Sequence, residues 1–199
     1  MPWSLKRYHH SGQSHFVTFS CYQRKPLFVD AERKRTFEEA LERVRRNYQL
    51  CVYGYVVMPE HVHLLVSEPG LTTPLKPTEG LNGAPEWTLA EALKSLKQGV
   101  SRRLITSGAD HFWQKRYYDF NIRNHRQFVE KLRYIHRNPV TRGLCADPAT
   151  WPWSSFVHYA TGMERIAEIE SEWTANRRDR AAGRLCPAVE LPHSSQRKA

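Results

Sequence analysis

The sequence predicts an α+β domain of ferredoxin-like (RRM-like) form, an antiparallel four-stranded sheet with helices packed on it. Three observations carry that expectation. Two apolar runs, 50–58 and 61–67, are separated only by Pro59 and Glu60, the spacing of an antiparallel hairpin. Segments with apolar residues at helical period stand on either side of that pair, near 31–47 and 89–104. A strand pattern precedes the first helix and another follows the second, so the order reads β-α-β-β-α-β with one more helix behind.

Each element has its own signal. Residues 15–22 (HFVTFSCY) alternate Phe16, Thr18 and Ser20 against Val17, Phe19 and Cys21, as a strand does. Asp30 can cap a helix that runs to about Asn47 with Phe37, Leu41, Val44 and Tyr48 on one side. The hairpin strands LCVYGYVVM and HVHLLVS follow. Residues 68–86 are rich in Pro, Gly and Thr and lack periodicity, so 68–87 reads as a flexible loop insertion. Thr88 and Glu91 form a T-x-x-E capping box, and the helix they open buries Leu89, Leu93, Leu96, Val100 and Leu104. Residues 111–122 (HFWQKRYYDFNI) have the aromatic β-formers of a fourth strand. Residues 125–138 form a third helix, which Pro139 is expected to stop. The aromatic stretch 151–159 (WPWSSFVHY) is expected to close the core of a single domain spanning 1–163. From about 164 the chain turns polar, with Arg177, Arg178, Arg180 and Arg184 close together. The expectation there is a basic C-terminal tail, a terminal helix passing into partial disorder by 199.

Composition narrows the function classes. With 199 residues, 40% of them hydrophobic, the chain is long enough for one packed core and unlike a disordered segment. A formal net charge of +10 on so small a domain points to a polyanionic partner, because Lys and Arg release counterions from phosphates. No run approaches the roughly 18 apolar residues of a membrane span, and residues 1–7 lack an apolar signal core. The four cysteines Cys21, Cys51, Cys145 and Cys186 form no C-x-x-C pair, which argues against a zinc ribbon or a disulfide scaffold. A cytoplasmic, nucleoid-associated protein is expected.

Two motifs carry chemistry. In His61-Val62-His63, side chains at i and i+2 of a strand share a face, so two imidazoles stand together while Val62, Leu64 and Val66 point the other way. In the third helix Phe128, Leu132 and Ile135 make the core stripe. At about 100° per residue, Tyr134 projects away from that stripe, with Asn138 one turn later on nearly its side. Either motif alone is ordinary surface decoration. Together, neutral His61 and His63 with the Asn138 oxygen make a mixed N/O donor set suited to Mg²⁺ or Mn²⁺ with water and phosphate in the remaining positions. A metal on a phosphate would offset transition-state charge, and Tyr134 beside it becomes a nucleophile on phosphorus.

Four blocks in order resemble a known family: VVMPEHVHLLVSEP (56–69), FWQKRYYDFNIRN (112–124), YIHRNPVTRGL (134–144) and WPWSS (151–155). They are similar to the single-tyrosine HUH transposases of minimal insertion sequences, in particular the REP-associated tyrosine transposases. The resemblance runs from about Arg7 to Gly162. It implies His61 and His63 as metal ligands, Tyr134 on a C-terminal helix as catalytic nucleophile, and Asn138 as the residue completing the metal site. It also implies metal-dependent cutting and rejoining of single-stranded DNA through a 5′-phosphotyrosine with a free 3′-OH, beside a recognised hairpin and a short adjacent tetranucleotide.

The basic residues Lys6, Arg7, Arg24, Lys25, Lys94, Lys97, Arg102, Arg103, Lys115 and Arg116 are the DNA-contact candidates. Trp113, Tyr117 and Tyr118 are aromatic neighbours that could stack on bases or belong to the core. Glu60 is expected to shape the hairpin turn, and Asp119 to satisfy a backbone group or an arginine. Two competing functions stay open at this point: a non-catalytic nucleic-acid-binding sheet, and a metal-dependent nuclease that uses water and leaves Tyr134 structural. Both a monomer and a homodimer fit the sequence.

Overall fold

The computed structural model describes residues 14–69, 87–105 and 111–182. Lys6, Arg7, nearly all of the 68–87 loop and the last residues of the tail lie outside them. Four antiparallel strands, β1 (Ser14–Ser20), β2 (Val52–Val57), β3 (His61–Ser67) and β4 (Tyr118–Ile122), line up in the order β2-β3-β1-β4. Helices α1 (Ala31–Asn47) and α2 (Leu89–Leu104) cover one face of the sheet, and α3 (His125–Thr141) covers the other. This is the ferredoxin-like α+β arrangement expected.

Local chemistry places the elements. Asp30 accepts from the Arg33 N–H at the start of α1, and Thr88 and Glu91 make the reciprocal capping box of α2. The Pro59-Glu60 turn is closed by the Met58 N–H donating to the His61 carbonyl. A bulge at Tyr53 shifts the β2–β3 register between Val52 and Gly54. On the α1/α2 face, Val17 and Phe19 of β1 pack with Val62, Leu64 and Val66 of β3, Phe37 and Leu41 of α1, and Leu93 and Leu96 of α2. On the α3 face the smaller core holds Phe16, Val56, Leu65, Ile122 and Ile135.

The structure departs from the sequence expectation in two elements. Pro139 does not stop α3: it lies inside the helix, which ends at Thr141 before Gly143 in the left-handed conformation (φ +67°). A proline so near the C-terminus interrupts only the final turn, and glycine supplies the exit. The fourth strand also starts later than expected. Residues 111–117 form no ladder beyond one isolated bridge, Cys21 to Trp113. Phe112 and Trp113 are both buried, packing on Phe28 and Phe19, so successive side chains turn to the same core and break the alternation of a regular strand.

After α3 the chain returns along the outer edge of β2. The Val57 N–H donates to the Trp153 carbonyl and the Ser155 N–H to the Tyr55 carbonyl, ahead of α4 (Phe156–Thr161). Further on, the Glu170 N–H donates to the Val52 carbonyl, and Ala167 and Ile169 are buried in the larger core. A last helix, α5 (Glu172–Ala181), carries Arg177 and Arg178, which pair with Glu164 and with Glu168 and Glu170.

Candidate active site

Because β3 is a central strand, its alternation has consequences on both faces. Val62, Leu64 and Val66 enter the larger core, so His61 and His63 must stand on the face that α3 covers. There they are buried, 4% and 5% exposed, with their Nε2 atoms 3.0 Å apart. Asn138 of α3 is buried beside them, its Nδ2 at 3.3 Å from His63 Nε2. The Tyr134 ring meets the His63 ring edge-on at 5.1 Å and the Phe16 ring at 5.8 Å. Tyr134 is nevertheless 50% exposed, so its phenol stays reachable. All four residues singled out in the sequence therefore share one open cavity of about 540 Å³.

The histidines are held from behind. Glu60 Oε1 lies 3.1 Å from His61 Nδ1 and accepts from Arg142 at 2.7 Å. Thr18, the β1 residue paired with His63, has its hydroxyl 2.7 Å from His63 Nδ1. Each imidazole thus has its Nδ1 engaged and its Nε2 turned into the cavity, the arrangement that fixes tautomer and ring orientation in ligating histidines. Burial pushes the His63 imidazole down to about 3, helped by the charges of His61 and Lys131. His61 is lowered as well: burial is the chief cause, and Glu60 works against it. Both rings are thus held neutral, the state in which they offer lone pairs.

Among the described residues no three His, Cys, Asp or Glu side chains cluster as a metal site. The third donor here is an amide, and it is conspicuous. Asn138 Oδ1 is buried without a hydrogen-bond partner among the described residues, a costly state unless something comes to it. Two ligands at right angles on bonds of about 2.1 Å stand about 3 Å apart, the separation of the two Nε2 atoms. The residues fit a small divalent cation.

The other candidates divide. Arg24 lines the same cavity from a left-handed backbone (φ +55°). Lys94, Lys97, Arg102 and Lys115 instead line a separate groove of about 460 Å³ between α2 and residues 111–117. Lys97 is partly committed there, donating to the Gln114 carbonyl. Arg103 pairs with Glu39 at 3.1 Å, and Lys25 and Arg116 are exposed. Trp113 belongs to the core, its indole N–H donating to the Lys97 carbonyl, and Tyr117 packs against it. Tyr118 is 42% exposed and lines the histidine cavity. Asp119 accepts from His15 at 2.9 Å on the opposite face of the sheet, away from this site. Glu60 does more than turn the hairpin, since it ties His61 to the end of α3. Thr18 and Lys131, another cavity residue, had no motif to mark them, although Thr18 shares the face of Phe16 by simple alternation.

Comparison with known proteins identifies the family. The sequence family described as "Transposase IS200 like" is matched over residues 8–138. A REP-associated tyrosine transposase of Escherichia coli (strain K12) is 24% identical over 183 residues, 89% of this chain and 94% of that one. A putative REP-associated tyrosine transposase of Haemophilus influenzae is 26% identical over 126 residues, 60% of this chain and 66% of its own. In three dimensions the chain matches a REP-associated tyrosine transposase solved bound to a REP hairpin, with a TM-score of 0.62 at 24% identity, over 84% of this chain and 92% of that one. No helix among the described residues is long and apolar enough to cross a membrane. With its fold shared and well over half its length matched, the chain belongs to the IS200-like transposase family, as the four ordered sequence blocks lead one to expect.

Proposed function

We propose that this transposase cuts and rejoins single-stranded DNA beside a hairpin, with Tyr134 as nucleophile and a Mg²⁺ or Mn²⁺ ion held by His61, His63 and Asn138. One observation carries the reading: two imidazole Nε2 atoms 3.0 Å apart, the Asn138 side chain, whose buried amide oxygen has no partner among the described residues, and a half-exposed phenol line one cavity. When bound, the ion would supply Lewis-acid stabilisation of charge building on a phosphate.

The chain's own residues do the rest. Glu60 and Thr18 keep both Nε2 lone pairs directed into the cavity. Phe16 and His63 pack against the Tyr134 ring and fix the direction of its Oη. That oxygen attacks phosphorus in line: the Oη–P bond forms, the P–O3′ bond breaks, the phenolic proton passes to water and the departing 3′ oxygen takes one back. The product is a 5′-phosphotyrosine and a free 3′-OH. Rejoining reverses the step when a 3′-OH attacks the phosphotyrosine, so the energy of the broken link is kept. One chain supplies all four side chains, and the reading needs no second copy to complete the site. Its substrate places it with chromosomal DNA in the cytoplasm.

The test is incubation with a labelled single-stranded hairpin oligonucleotide and Mn²⁺, followed by a denaturing gel. A covalent protein–DNA adduct is expected, and Tyr134→Phe should abolish it. Cleavage that survives Tyr134→Phe would instead assign the chain to water-using nucleases. Binding without cutting, with metal loaded, would assign it to non-catalytic binders.

A further inference from the structure

Lys131 precedes Tyr134 by three residues on α3, so the two side chains share a helix face. Its Nζ lies 4.9 Å from the centre of the Phe16 ring and 4.8 Å from that of Phe120. The same Phe16 ring stacks on His63 at 5.4 Å and meets Tyr134 at 5.8 Å. Phe16 therefore fixes three groups around itself: an ammonium, an imidazole of the candidate metal set and the candidate nucleophile. All four line the one cavity.

Among the described residues the charge of Lys131 has no counter-ion. Among the described residues no carboxylate comes within 4.0 Å of it, whereas on the same helix Arg126 pairs with Glu130, and Arg142 just beyond pairs with Glu60. A cation above two aromatic faces is held in place while its N–H groups stay free to donate outward. An ammonium that is half-buried, unpaired and aimed into a cavity lacks one partner, an anion. The charge also reaches the cavity floor, since it contributes to holding His63 neutral.

We propose that Lys131 contacts the substrate directly, its ammonium donating to a non-bridging oxygen of the phosphate that enters between Tyr134 and the histidines. This rests on the reading of Tyr134 as nucleophile only for which phosphate is meant. The contact itself is a charge-assisted hydrogen bond that forms on binding and strengthens as negative charge grows on that oxygen. Lys131 acts here as a donor only and moves no proton.

The probe is a set of single-stranded hairpin oligonucleotides, each with one phosphate replaced by an uncharged methylphosphonate at successive positions. Binding is read by fluorescence anisotropy in EDTA, in a Tyr134→Phe background, so neither metal nor cutting enters. Lys131→Met should weaken binding of the all-phosphate strand about tenfold, the loss of one hydrogen bond between charged groups. For one position in the set that penalty should vanish, because the partner oxygen is already gone. Lys131→Arg should restore most of the affinity and the position effect. A change below twofold, or an equal penalty at every position, would overturn the proposal, the second outcome meaning only a diffuse field. The blind position should also be the phosphate at which the chain with Tyr134 intact forms its Mn²⁺-dependent adduct. A blind position without any adduct leaves the Lys131 contact standing and removes the nucleophile. An adduct at a different phosphate removes Lys131 from the reacting centre.

Discussion

Acidifying the metal-free protein from pH 7 to pH 5 should cost it stability through His63. In the unfolded chain this imidazole takes up a proton near its ordinary 6.5, but in the fold burial holds it down to about 3. Below pH 6.5 the unfolded state therefore binds a proton that the folded state refuses, and stability falls as pH falls. At pH 5 the gap is about 1.5 units, or about 2 kcal/mol at 1.36 kcal/mol per unit. For a chain of this size that is a shift in midpoint of about 4–8 °C. His136, which burial pushes down to about 4, acts in the same direction. His15 acts in the opposite one: burial lowers it, but its bonds to Asp119 and Glu68 outweigh that and leave it raised. His61, lowered by burial, acts in the same direction as His63; all three remain in His63→Gln, so the difference between the two proteins reports His63. Urea unfolding in EDTA at the two pH values should show the variant losing about 2 kcal/mol less than the wild-type chain. Equal losses in the two proteins would mean that folded His63 accepts a proton readily, and the case for a neutral ligand pair would fail with it.

Two further substitutions probe how the site is held. Glu60→Ala frees the His61 ring and unpairs Arg142, so Mn²⁺ affinity measured by titration calorimetry should drop about tenfold or more. Glu60→Gln, which can still accept from Nδ1, should recover much of it, and no recovery would mean that charge rather than orientation is what matters. At Gly54 an added Cβ would come within 2.6 Å of Leu132 Cδ1 and 3.3 Å of Ser155 Oγ. Gly54→Ala should therefore destabilise by about 1–3 kcal/mol and loosen α3 over β2. Trimming the clash in Gly54→Ala/Leu132→Ala should give a double mutant more stable than the sum of the single effects, and simple additivity in thermal melts would contradict this packing.

The parts of the fold that were legible in the sequence are those with strong local rules. Period-two alternation located β1, and the two-residue gap of Pro59 and Glu60 located the hairpin. The Thr88–Glu91 box marked the start of α2 to the residue. His61 and His63 declared themselves because i and i+2 of a strand must share a face. What stayed hidden depends on the third dimension. The aromatic run 111–117 has strand composition, but its rings turn together into the core near Phe28. Pro139 looked like a terminator because the rule concerns helix interiors, and here only a short final turn follows it. Thr18 and Lys131 carry no signature at all. They matter only because β1 lies between β3 and β4, and because Phe16 brings an ammonium to the histidines.

The path of the chain after α3 has a practical meaning for anyone who shortens this protein. Every residue with a proposed chemical role lies at or before 138, where the match to the family model also ends. A fragment stopped soon afterwards would keep all of that chemistry and still leave one margin of the sheet bare, because residues 153–155 and 170 are what hydrogen-bond to it. It would also lose Ser155, whose hydroxyl is shared by Tyr55 on β2 and His136 on α3 and so joins the strand to the nucleophile's helix. The WPWSS block then reads as a mark of assembly rather than of catalysis. An inactive truncated variant would report a broken scaffold, and deletion mapping alone would misplace the active site.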